Sequence, residues 1–138
     1  MKYYLLALLA GVICPLGFAP FNIWPIVILS LSWLLYLLRN AEIKRAFFLG
    51  FIYGIGMWGF GVSWVYVSIH YHGNISIINS LLITFAFIVF LSLYIGLITF
   101  LFQYLKTTKK TLNYLVFFPV IWVSIELLRS YFLTGFPW

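Results

Sequence analysis

The chain has 138 residues, of which 65% are hydrophobic, 22% aromatic and only 7% charged, where soluble domains carry roughly 25% charge. Eight basic and two acidic side chains cannot hold so much apolar surface in water, which excludes a soluble fold. The net charge of +6 does not mark a nucleic-acid binder either, because every basic residue but Arg129 sits at the end of an apolar run, where it orients a helix.

The apolar runs are continuous for longer than the roughly ten residues of a barrel strand, so the expected class is an all-α integral membrane protein with about five transmembrane helices. Lys2 and the run behind it have the outline of a signal peptide, but no small-x-small cleavage site follows and Ile13 is too large to precede a lipoprotein cysteine. An uncleaved first span over about 3–18 is therefore expected. Phe18-Ala19-Pro20-Phe21-Asn22-Ile23-Trp24-Pro25 reads as a tight turn in the interfacial aromatic belt. Asn22 is the expected cap of the next helix, with Pro25 in its first turn. The second span, about 23–38, is short. The polar loop Arg39–Arg45 leads to a third span over about 46–69, and the polar turn His70–Ser76 to a fourth over about 77–105. Lys106–Lys110 is a second basic loop, before a fifth span over about 112–133.

The segment GFIYGIGMWGFGVSWVYVSIHYHG, Gly50–Gly73, is the expected centre of the bundle. Interior glycines weaken a helix in water by about 1 kcal/mol each, but in lipid the unpaired backbone is costlier still and the helix is enforced. At 100° per residue Gly50, Gly54 and Gly61 share one stripe, and Gly56, Gly59 and Ser63 another. Two smooth grooves invite close approach by two neighbouring helices.

Under a five-span count, Lys2, the Arg39/Lys44/Arg45 loop and the Lys106/Lys109/Lys110 loop all fall on one side. The three turns on the other side contain no Lys or Arg. The positive-inside rule then puts the N-terminus in the cytoplasm and the aromatic, proline-rich turns outside.

Glu126 and Arg129 are the only acid and base within a span. Burying either alone costs at least about 2.5 kcal/mol, so they should pair, and at i, i+3 they share a helix face. A clamp to a neighbouring helix explains such a pair. The functional alternative has Arg129 meeting a lipid phosphate or a substrate carboxylate. His70 and His72 lack the third ligand of a catalytic zinc site and read as part of a polar loop; no metal is expected. Cys14 reads as a small core residue. Trp24, Trp58, Trp64, Trp138 and Tyr66 are candidates to line a lipid-entry groove. These residues contain no complete active site, so no catalytic residue and no cofactor are expected.

FAPFNIWP after the first span, GFIYGIGMWGFGVSWVYVSI in the third, LSLYIGL in the fourth and IELLRSYFLTGFPW at the end resemble, in order, the membrane part of bacterial apolipoprotein N-acyltransferases. The W-V-Y-V-S-I run and the E-x-x-R…L-T-G-F-P-W ending are the specific parts. The resemblance implies a multi-pass enzyme of the bacterial inner membrane that moves an acyl chain from a phospholipid donor to the diacylglyceryl-cysteine of a lipoprotein. It implies a periplasmic nitrilase-like domain with a Glu-Lys-Cys triad, and the sequence stops before that domain. Cys14 does not match the catalytic cysteine. The 138 residues are thus expected to be a single transmembrane domain, inactive without the remainder of the enzyme. The motif match extends to Gly135, Phe136, Pro137, Trp138, Glu126 and Arg129, and makes these, with Trp64 and Tyr66, the candidate lipid contacts. The alternative is a small, complete lipid-binding or transport protein with no acyltransferase activity.

The topology is tested by single-cysteine labelling in intact cells on a Cys14→Ser background. Lys109→Cys is expected to be reachable only from the cytoplasm and Thr134→Cys only from outside; labelling of both from one side would overturn the layout.

Overall fold

A computed structural model describes residues 1–132. These residues are helical, with no strand among them. Helix α1, Lys2–Ile13, continues into a 3-10 turn at Cys14–Gly17, and α2 covers Pro25–Leu38. Helix α3, Ile43–Gly61, is followed by the short α4, Val65–Val67, which runs into a π-helical turn at Ser68–His72. Helix α5 spans Ile77–Leu105. The last helix begins as α6, Lys110–Leu112, passes a π turn at Asn113–Phe117 and continues as α7, Phe118–Phe132. Two helices, Ile77–Leu105 and Lys110–Tyr131, are long and apolar enough to cross a membrane, and Ile43–Gly61 and Val65–His72 are so only when taken together as one bent span. Helices α1, with its 3-10 extension to Gly17, and α2 are apolar but shorter. The chain is an all-helical membrane protein.

Helix α3 lies between α1 and α5, and small residues set both contacts. A Cβ added at Gly50 would stand 2.8 Å from the Ile95 carbonyl oxygen and overlap the Thr99 side chain, and one at Gly54 would stand 2.9 Å from Ser92 Cα. On the other side, a Cβ at Gly56 would stand 3.0 Å from Val12 N, and one at Gly11 of α1 would stand 2.9 Å from Met57 N. These are backbone-to-backbone contacts that any side chain would push apart. The two stripes are not used along their whole length. Gly61 meets only the Pro15 ring, at 3.5 Å, on the α1 side. A Cβ at Gly59 would meet no atom of another element within 4 Å among the described residues, and Ser63 is exposed with its hydroxyl turned back to the Phe60 carbonyl.

Hydroxyl and amide groups reinforce the stack where no water is available to satisfy them. The Ser30 hydroxyl of α2 donates to the Ala10 carbonyl at 2.6 Å and lies 2.7 Å from the fully buried Tyr53 hydroxyl, joining α1, α2 and α3. The Thr99 hydroxyl of α5 donates to the Ala46 carbonyl of α3 at 2.8 Å. At the basic end, Gln103 Nε2 donates to the carbonyl of Leu38, the last residue of α2, and to that of Ala41 in the turn beyond it. The buried Asn113 side chain accepts from Thr107 N at 2.9 Å and donates to the Thr107 carbonyl at 2.7 Å, fixing the turn between α5 and α6.

Two expectations from the sequence need correction. The third span is not one straight helix: α3 ends at Gly61 and the axis turns by 57° before Val65–His72. Gly59 and Gly61 favour helix poorly, and Val62 leaves helical geometry at φ −118°, ψ 12°. Asn22 does not cap α2. It occupies a left-handed backbone position at φ 55°, while α2 opens at Pro25 with Trp24 in the cap position, the place where proline's missing N–H costs nothing.

Gly50→Val is expected to destabilise the protein by about 3 kcal/mol, since the backbone of α5 must retreat. Gly59→Ala should stay within about 0.5 kcal/mol of the parent. Thermal unfolding in detergent measures both, and equal effects would show that the close contacts do not carry the packing.

Candidate functional site

The end of α3 opens a cavity of about 600 Å³, within the range of pockets that hold small molecules. Its wall comes from five places along the chain. The 3-10 turn after α1 supplies Cys14 and Pro15, α2 supplies Val27 and Leu31, and the end of α3 supplies Met57, Trp58, Gly61 and Val62. Helix α7 supplies Trp122, Glu126 and Arg129, and Trp64 stands in the bend beyond α3. The wall is largely apolar. Its polar groups converge on one side.

Trp122, Glu126 and Arg129 fall on one face of α7 because they are four and three residues apart. That face is held against the bundle by ring contacts: Phe118 meets Phe102 of α5 edge-on at 5.4 Å and Trp122 at 5.6 Å. Arg129 is 5% exposed, an unusual depth for a guanidinium. Its Nη2 donates to Glu126 Oε2 in an i, i+3 ion pair. Its guanidinium carbon also lies 5.0 Å from the centre of the Trp58 ring, so a charge on α7 rests on an aromatic face from α3. The Trp58 Nε1–H is buried and has no hydrogen-bond partner among the described residues. A polar corner of this kind, with a fixed cation and a spare N–H beside an apolar chamber, can hold an anionic oxygen at one end and a hydrocarbon chain at the other.

Several sequence candidates thus come together here: Glu126, Arg129, Trp58 and Trp64 all line the cavity. Tyr66 does not; its ring stacks on His70 at 5.6 Å. Trp24 stands 68% exposed at the start of α2, away from the cavity. His70 Nδ1–H donates to the Ile75 carbonyl at 2.7 Å and so closes the turn that carries Asn74 at φ 52°. No group of metal-binding side chains occurs among the described residues. Gly135, Phe136, Pro137 and Trp138 lie outside the described residues. Reasoning from the sequence overlooked Trp122, although its spacing of four from Glu126 was there to be read. It also passed over Cys14 as a cavity residue, which only the fold places opposite α7.

The arrangement can be compared with known proteins. A family profile described as the apolipoprotein N-acyltransferase N-terminal domain matches residues 10–138. The chain belongs to that family. The apolipoprotein N-acyltransferase of Coxiella burnetii is 43% identical over 134 residues, 96% of this chain and 28% of the relative. That of Pseudomonas aeruginosa PAO1 is 40% identical over 136 residues, 98% of this chain and 27% of the relative. That of Pasteurella multocida is 37% identical over 135 residues, 98% of this chain and 25% of the relative. The chain spans roughly a quarter of the length of these relatives. The family match includes the α7 face and the glycine-rich α3, so the cavity is built from the region shared with the N-acyltransferases.

Glu126→Leu is expected to cost about 3–5 kcal/mol, because it leaves the Arg129 charge buried without its carboxylate. Combining it with Arg129→Met should recover most of that loss. Thermal unfolding of the two variants in detergent checks this, and equal destabilisation would mean that shape rather than charge holds the face.

Proposed function

We propose that this chain is the membrane domain of an enzyme that N-acylates the diacylglyceryl-cysteine of bacterial lipoproteins, using a phospholipid as acyl donor. In this reading the domain crosses the inner membrane five times with its N-terminus in the cytoplasm, so the cavity beside α7 lies toward the outer leaflet. A phospholipid enters with its acyl chain along the apolar wall of Val27, Leu31 and Met57 and its phosphate at Arg129. Glu126 and the Trp58 ring hold the guanidinium in place, and the Trp58 N–H offers a second donor. The thioester chemistry belongs to the remainder of the enzyme, which is the domain's principal partner, and the lipoprotein acceptor meets the donor at that junction.

The observation that carries this reading is the Glu126–Arg129 pair, with its arginine buried and laid over Trp58, at the edge of an apolar cavity in a family of N-acyltransferases. A buried ion pair is a weak stabiliser, since two hydrophobic residues would often do as well. Its presence within a membrane span favours a binding role.

The test uses the full-length enzyme, with phosphatidylethanolamine as donor and a diacylglyceryl lipopeptide as acceptor. Arg129→Ala is expected to lower transfer by about a hundredfold, the scale of a lost charged contact of roughly 3 kcal/mol. Arg129→Lys should keep a substantial part of the activity. Unchanged transfer by Arg129→Ala would overturn the proposal, and equal loss in both variants would assign Arg129 a packing role instead.

A further inference from the structure

A second concavity lies at the opposite, basic end of the bundle, apart from the α7 cavity. It is a cleft of about 180 Å³ between the start of α1 and the turn joining α2 to α3, with Tyr3, Tyr36, Arg39, Asn40 and Arg45 in its wall. No carboxylate lines it. Glu42, in the same turn, is exposed and makes no ion pair among the described residues. The Arg45 guanidinium is instead placed over the Tyr3 ring, at 4.6 Å from its centre. Tyr3 thereby positions one arginine with its charge unneutralised.

The neighbouring chemistry adds positive charge. Lys106 Nζ donates to the Arg39 carbonyl at 2.7 Å, which fixes the Arg39 backbone and brings a third cation to the cleft's edge. Partial burial, and then the charges of Arg39 and Lys110, push the Lys106 ammonium below the ordinary lysine range. Cations are thus crowded here, and the one acid of the turn, Glu42, does not line the cleft. Above the cleft, the face of α2 toward lipid is apolar and open: Tyr36 is 65%, Trp33 47% and Leu29 65% exposed.

From these features, the geometry points to a binding site for one phosphate-bearing anion in the cleft, with Arg39 and Arg45 as its charged ligands and the Tyr3, Tyr36 and Asn40 side chains completing it. The source that fits is the headgroup of an acidic phospholipid. A cleft this small takes a headgroup phosphate and little more, and the apolar strip along Tyr36, Trp33 and Leu29 continues from it where the acyl chains would lie. Basic pockets between membrane helices recognise acidic headgroups in this way, and arginine suits the planar, two-toothed contact with phosphate oxygens. The site does not depend on what the α7 cavity holds.

The experiment takes the full-length protein, purified in detergent, and measures retained lipid by native mass spectrometry. Phosphatidylglycerol, phosphatidylethanolamine and inorganic phosphate are titrated separately. Phosphatidylglycerol is expected to bind about tenfold more tightly than phosphatidylethanolamine, and the Arg39→Gln/Arg45→Gln variant to weaken it by about thirtyfold, the scale of two arginines at an anionic surface. Lys109→Gln/Lys110→Gln removes the same charge from exposed positions at the start of α6, outside the wall of the cleft, and should change binding less than about threefold. Arg39→Lys/Arg45→Lys keeps the charge, and its partial retention of lipid would show that the fold tolerates change here. Equal weakening by the arginine and lysine pairs would overturn the site in favour of diffuse attraction. Competition by inorganic phosphate as effective as by the lipid would overturn the lipid assignment, and no preference for phosphatidylglycerol would overturn both.

Discussion

The bundle depends on the distance at which the backbone of α3 can approach its two neighbours. In lipid, apolar side chains gain nothing by leaving their surroundings for one another, so helices associate through close packing and hydrogen bonds. Glycines 50 and 54 let α5 sit against α3, and Gly56, with Gly11 opposite it, lets α1 do the same. At that range the Thr99 hydroxyl reaches the Ala46 carbonyl and the Tyr53 hydroxyl reaches Ser30. A larger residue at Gly50, which lies against Thr99 itself, would take the Thr99–Ala46 hydrogen bond out of reach. The polar ties therefore follow from the close approach and do not create it.

The cavity is the complement of this arrangement. Where the close contacts stop, α3 ends, and the helix axis turns by 57° after Gly61. The space it leaves is bounded by the turn after α1 and by α7, which contributes the only ion pair among the described residues. Tight packing below and an open chamber above thus come from one helix. Trp58 belongs to both, as a buried residue of α3 and as the aromatic floor under Arg129.

Much of this was readable in the residues themselves. The spacing of Gly50, Gly54 and Gly56 announced two grooves, and the distribution of Lys and Arg separated two ends. What escaped the reading depended on residues far apart in sequence or on competition between local preferences. Periodicity carried the third helix through to Ile69, because Val65–Ile69 is as apolar as what precedes it, while the break lay in the poor helix propensity of Gly59 and Gly61. Asn22 has the right chemistry for a cap but adopts a left-handed turn two residues too early. Cys14 and Trp122 are neighbours of the same cavity across more than a hundred residues, a relation no local pattern can encode. Glu126 and Arg129 were recognisable because a charge inside a span demands an explanation; Trp58 as their aromatic partner was not.

A core that meets through glycine also has an unusual thermal character. Freezing a leucine or methionine into a packed interface sacrifices rotamer entropy, whereas glycine has no side-chain freedom to lose and the helical backbone is already ordered before the helices meet. The α1–α3–α5 contact is accordingly a gain of dispersion and hydrogen-bond enthalpy with a small conformational penalty. A water-driven core weakens on cooling as its hydrophobic drive fades, but this stack draws little from that source. On cooling, the seam between these three helices therefore keeps its drive.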